Sequence, residues 1–174
     1  MRRRLRNCVI ALFPLSVSIL AQSPGAEATA TIGGKALKLK YSSPSVRNRQ
    51  IFGDGGVVSK DSTYPVWRAG ANAATTLQTD ANLDIGGLNV PAGTYSLYVL
   101  VKDPDNWKLI VNKQTGQGGD TYAADMDLGR VDMKMEKPKA PVESLKYTIT
   151  TSGATGRIQL EWDNHIASVP IRAK

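Results

Sequence analysis

The sequence predicts an all-β fold: a single-domain antiparallel β-sandwich, jelly-roll-like or Ig-like, with one long ordered loop near residues 42–74. Three observations predict it. From Lys35 onward, apolar and polar residues alternate with the period of a pleated strand, and no helical stripe appears. Turn signals then cut the chain into short segments, at Gly86-Gly87, Pro91-Ala92-Gly93, Asp103-Pro104-Asp105-Asn106 and Ser152-Gly153-Ala154. Polar residues edge the final strands, which favours a sandwich over a closed barrel.

The first residues read as an export leader. Arg2, Arg3, Arg4 and Arg6 precede a short apolar stretch, Val9 to Ala21, interrupted by Pro14. A small-residue cleavage position follows, either Ala21 or the Ala26-Glu27-Ala28 triplet. Residues 1–28 are thus expected to be a signal peptide and 29–34 a flexible segment, with one sandwich over 35–174. The protein is expected to be periplasmic or extracellular, touching membrane only through its leader during export.

Within the domain, Leu37, Leu39 and Tyr41 alternate with Lys38 and Lys40 as in a half-buried strand. Leu83 to Val90 reads as a tight hairpin, because Gly86-Gly87 supplies the positive φ angles of a two-residue turn. Thr94 to Val101 is apolar on both faces, so it is placed centrally. Trp107 to Asn112 follows the Asp103–Asn106 turn, and Gln114 to Asp127 is a Gly/Asp-rich excursion. Further strands are expected at Leu128–Met135, Leu145–Thr151, Arg157–Trp162 and Ala167–Ile171.

The stretch from Tyr41 to Thr76 has no period at all. Ile51, Phe52, Tyr64, Val66 and Trp67 give it apolar surface to bury, so it is expected to be ordered. Arg47, Arg49, Trp67, Arg68 and Asn72 lie in it and are the candidate ligand-binding residues, with Asn112 from a nearby strand end. Guanidinium groups offer rigid forks for anionic groups, Asn both donates and accepts, and an indole stacks on rings. The alternative role for Arg68 and Asn72 is internal: tying the loop's own carbonyls.

Other chemistries find little support. His165, the sole histidine, falls in Asp163-Asn164-His165, a sequence that reads as a solvated turn. Asp120, Asp125 and Asp127 match no calcium-loop spacing, and Asp103 and Asp105 read as turn formers. No metal and no cofactor is expected. Losing residues 1–28 takes away four of 22 basic residues and one of 15 acidic ones, lowering the net charge from +7 to +4. That value does not suggest nucleic-acid binding, which needs a clustered basic face. Cys8 is the only cysteine, so no internal disulfide can form.

A set of short motifs carries a resemblance. Pro44-Ser45-Val46-Arg47, Arg49-Gln50-Ile51-Phe52-Gly53, Val66-Trp67-Arg68, Gly70-Ala71-Asn72, Pro91-Ala92-Gly93-Thr94-Tyr95-Ser96-Leu97 and Leu160-Glu161-Trp162 resemble, in order and spacing, the bacterial family called domain of unknown function 2911. The resemblance implies an exported β-rich domain and no established activity. Ser43, Asn48 and Ala73 depart from it, standing where the family pattern carries arginine, glycine and glutamate.

The expected function is non-enzymatic binding of a small polar or carbohydrate-like ligand, or of an envelope component. Two alternatives stand beside it. One is a hydrolase of envelope carbohydrate or peptide using Glu161 or Asp163, which requires a second carboxylate near Glu161. The other is a structural or interaction module presenting an edge strand.

Overall fold

In a computed structural model, residues 22–174 are described; the arginine-rich start, the apolar stretch to Ala21 and Cys8 lie outside the described residues. The segment read as flexible is instead structured. β1 (Gly25–Ile32) pairs with β2 (Lys35–Ser42) along its whole length, and 29–34 are its end and the Gly33-Gly34 turn. The sequence hid this strand because its inward side is Ala26, Ala28 and Ala30, three small residues beside a leader-like pattern, with Ile32 as the single large residue at its end.

The chain continues through β3 (Val66–Trp67), β4 (Thr75–Thr79), β5 (Leu83–Ile85), β6 (Leu88–Val90), β7 (Gly93–Leu100) and β8 (Lys108–Asn112). Then come β9 (Asp127–Asp132), β10 (Lys134–Glu136), β11 (Val142–Ser152), β12 (Thr155–Asp163) and β13 (His165–Ala173). The strands form two antiparallel sheets in a sandwich, as expected. One runs β1-β2-β4-β7-β8-β9, with β3 also on β7; the other runs β11-β12-β13-β5-β6, with β10 also on β13. The stretch expected as one strand over Leu128–Met135 is two, because the chain changes sheets at the buried Met133.

Between the sheets lies one core. Leu37, Leu39, Leu77, Leu97, Val99, Leu109 and Val111 face Leu145, Tyr147, Ile158, Leu160, Val169 and Ile171 across it. Each fully buried Leu, Ile or Val contributes about 1.5–3 kcal/mol, so the period-2 pattern suffices to fix which face turns inward. The outer face of β7 and β8 is also covered. Tyr98 and Ile110 are fully buried there with Val66 and Ala74, under Tyr122 of the 113–126 excursion. This is why β7 is apolar on both sides.

The excursion is held by polar ties. Asn112, fully buried, donates through Nδ2 to the Ala123 carbonyl and to the Asp127 carboxylate, and accepts from the Gln114 amide. Tyr98 donates to the Thr121 carbonyl, and Gln117 donates to the Tyr98 hydroxyl. Tyr122 donates to Asp127, and burial with that carboxylate beside it pushes the phenol up to about 12.

β3 and β4 both pair with the same edge of β7, at Val99–Leu100 and Gly93–Leu97 respectively. Residues 68–74 are the detour between them. That detour, with the preceding loop, closes one end of the sandwich.

Candidate functional site

The long loop is ordered and packed. Ile51, Val58, Trp67 and Ala69 are all buried, while Tyr64 is the exposed large apolar residue, contrary to the expectation that it packs inward. Its first part is stitched to the opposite sheet. Val46 donates to the Glu143 carbonyl, Leu145 to the Pro44 carbonyl, and the Ser43 hydroxyl to the Leu145 carbonyl. The loop therefore bridges the two sheets.

Phe52 sits at the centre of an aromatic cluster. Its ring lies 4.7 Å from Trp107, 5.5 Å from Trp67, 5.7 Å from Trp162 and 4.8 Å from His165. Trp67 stacks on Trp162 at 5.6 Å, and its indole N–H donates to the Gly70 carbonyl. Trp67 is 1% exposed. It is a packing residue that presents one edge to the site, not an open stacking platform.

Beside this cluster lies a cavity of about 190 Å³. Its polar wall carries Arg49, Asp61, Arg68 and Asn72; its apolar wall carries Val57, Val58, Trp67 and Trp162; Ser23, Pro44 and the Gly70-Ala71 backbone complete it. Arg68 Nη2 pairs with Asp61 at 2.8 Å, and Arg68 Nη1 donates to the Asn72 carbonyl. Arg49 donates to the Ser45 and Val46 carbonyls, which aims its guanidinium along the rim. Asn72 donates to the Ser23 carbonyl and the Ser42 hydroxyl. The Trp162 indole N–H is buried and has no partner in the protein.

The backbone here is held in unusual conformations. Arg47, Asn48, Ala69 and Asn72 all have positive φ, at 49°, 56°, 55° and 59°. Such a residue costs about 1–3 kcal/mol and persists only where its surroundings over-determine it. For Ala69 the cause is visible: its carbonyl accepts from the Thr75 hydroxyl and from the Tyr147 phenol.

Of the candidate residues, Arg49, Trp67, Arg68 and Asn72 are brought together around the cavity. Arg47 is exposed and lies outside it, held through its amide by the Glu143 carboxylate. Asn112 belongs to the outer face of β8, where it ties the excursion. Sequence reading missed Asp61, Ser23 and Gly119. Asp61 had no period to place it, and Ser23 was read as leader. Gly119 fits because it has no side chain: a Cβ there would run into the Asn72 carbonyl and the Arg68 side chain.

The other polar groups sit apart. Glu161 faces out from β12 and is held by Lys146 at 3.1 Å and by Gln159. His165 is not a solvated turn residue: it starts β13, stacks on Trp107 at 5.0 Å and is half-buried. Among the described residues no group of His, Cys, Asp or Glu could hold a metal ion, and no helix is long and apolar enough to cross a membrane.

Burial lowers the His165 pKa, outweighing the opposing pull of Asp163 and Asp105, and Lys137 adds to the lowering. A depressed folded value means the unfolded chain takes up the proton first. His165 therefore contributes stability above about pH 6.5 that is lost as pH falls through and below it. Replacing it with Phe keeps the ring and removes the proton. His165→Phe is expected to lose less stability than the parent between about pH 7 and pH 5 in denaturant titrations. Parallel pH profiles would contradict the assignment.

A family model described as a protein of unknown function, DUF2911, matches residues 23–171. No curated protein and no solved structure matches the chain.

Proposed function

The chain belongs to the DUF2911 family, a family of unknown function, and we propose that this protein is an exported, non-enzymatic binding module for a small carboxylate-bearing ligand. The observation that carries the reading is the convergence of Arg49, Arg68 and Asn72 on one cavity.

Two features support a small anion. Two guanidinium groups against one carboxylate leave the wall with a positive excess. Each guanidinium has five N–H donors, and the hydrogen bonds formed by Arg49 and Arg68 leave several for a ligand. Size narrows the class further. Sites for drug-sized molecules run to roughly 300–1,000 Å³, so a cavity of about 190 Å³ suits a short organic acid or a single sugar-acid ring. On the apolar wall the half-buried Val57 gives such a ligand's carbon body a surface to cover. The arginine-rich, apolar leader supports export.

Arg49 is the cleaner probe, because Arg68 is tied to Asp61. A panel of short organic acids and sugar acids, screened by thermal shift and followed by calorimetric titration, is expected to yield a binder. Arg49→Ala should then weaken it by roughly 10- to 100-fold, the worth of a charge-assisted hydrogen bond. Its stability should change by less than about 1 kcal/mol, since Arg49 is exposed. A panel with no binder, or equal affinity in Arg49→Ala, would contradict the reading.

A further inference from the structure

We propose that the exported protein begins at Gln22: the leader is cut at the Ala21–Gln22 bond, and the freed amino terminus lies at the mouth of the cavity. The sequence offers two small-residue positions, Ala21 and the Ala26-Glu27-Ala28 triplet, and the second fits the general pattern better. The fold separates them, because the residues in dispute are part of the sandwich.

Residues 25–28 form the first half of β1, with Gly25, Ala26, Glu27 and Ala28 opposite Ser42, Tyr41, Lys40 and Leu39. Ala28 packs against the core, and the Glu27 carboxylate sits between Lys38 and Lys40 at 3.4 and 3.6 Å. The two residues before the strand are also tied. The Pro24 carbonyl accepts from the Ser43 amide, and the Ser23 carbonyl accepts from Asn72. The match to the family begins at residue 23, so it takes in this half-strand. A cut after Ala28 would strip half of β1 from β2, leave the Ser43 amide without its acceptor and remove the cavity wall at Ser23. A cut after Ala21 leaves every one of these contacts in place.

The step is hydrolysis by a leader peptidase. Water adds across the Ala21–Gln22 amide, the carboxylate departs with the leader, and Gln22 keeps the ammonium. That ammonium lies one residue from Ser23, which lines the cavity, so processing adds a cation to a rim that already carries Arg49.

The test is the intact mass of the protein recovered from the envelope or medium of a bacterial host expressing the full precursor. A chain starting at Gln22 is expected, as the free amine that carries the added charge or as the neutral lactam that later forms from it when Gln22 loses ammonia. A start at Thr29, or an uncut exported precursor, would overturn the proposal. Two variants sharpen it, since threonine is poorly accepted before a leader cut but suits a strand. Ala21→Thr should accumulate precursor while Ala28→Thr is processed as the parent is; the reverse pattern would overturn it. A chain made to start at Thr29 should melt well below one that starts at Gln22, and equal melting would remove the structural basis.

Discussion

Replacing Trp67 with alanine is expected to cost about 3–5 kcal/mol of stability, the range for emptying a buried aromatic site. The residue is 1% exposed, stacks on Trp162 and meets the edge of Phe52. It also donates to the Gly70 carbonyl, at the point where the chain leaves the β7 edge. Truncation therefore does two things: it opens a void in the aromatic cluster, and it frees the backbone of the cavity wall. In a domain of this size the loss corresponds to a melting point lowered by roughly 10 °C. Urea titration should show the midpoint falling accordingly. Trp67→Phe, which keeps most of the apolar volume but loses the donor, should fall in between. A Trp67→Ala protein as stable as the parent would mean the loop does not share the core.

The second large effect is expected at Asn112. Its side chain satisfies the Ala123 carbonyl, the Gln114 amide and one oxygen of Asp127, all from a fully buried position. Asn112→Leu keeps the volume and abandons those partners, at about 1–3 kcal/mol for each buried group left unpaired. The expected total is about 2–5 kcal/mol, concentrated in residues 113–126. Hydrogen exchange should show that excursion opening while β2, β4 and β12 stay protected. Ligand affinity at the cavity should be unchanged, because Asn112 is not among its lining residues. A fall in affinity without a fall in stability would instead make Asn112 a ligand contact.

Much of the fold was legible because most strands bury side chains large enough to announce a period. β12 and β13 alternate large apolar residues with polar ones, β7 and β8 are apolar on both faces, and their turns carry glycine, proline or aspartate. Where side chains are small or the element is short, the pattern vanishes. β1 turns three alanines inward and has one large buried residue, Ile32, at its end; β4 contributes threonines beside its single buried Leu77, and β3 is two residues long. The Met133 crossover was invisible because period-2 alternation continues through it while the sheet partner changes.

The site was legible in part for a related reason. An aperiodic loop rich in Arg, Trp and Asn announced that something polar is built there, and four of its candidate residues do meet at one cavity. Depth was not readable. Arg47 and Arg49 are two residues apart, yet only Arg49 reaches the cavity, because positive φ at Arg47 and Asn48 turns the chain between them. Asp61, the partner of Arg68, is joined to it by a fold-back that local sequence does not encode. Asn112 looked like a neighbour and proved to serve the other face of the sheet.

The proposed binding site is the cavity between the loop and β12. The most direct measurement is a nuclear magnetic resonance titration that follows the three indole N–H signals with the best small carboxylate from the screen. A saturable shift of the Trp162 indole and of the Gly70–Asn72 amides is expected, with its midpoint moved to roughly 10- to 100-fold higher ligand in Arg49→Ala and with the Trp107 indole left in place. Signals of Trp162 and Gly70–Asn72 that stay still while the ligand binds, or that move only in step with Trp107, would contradict it.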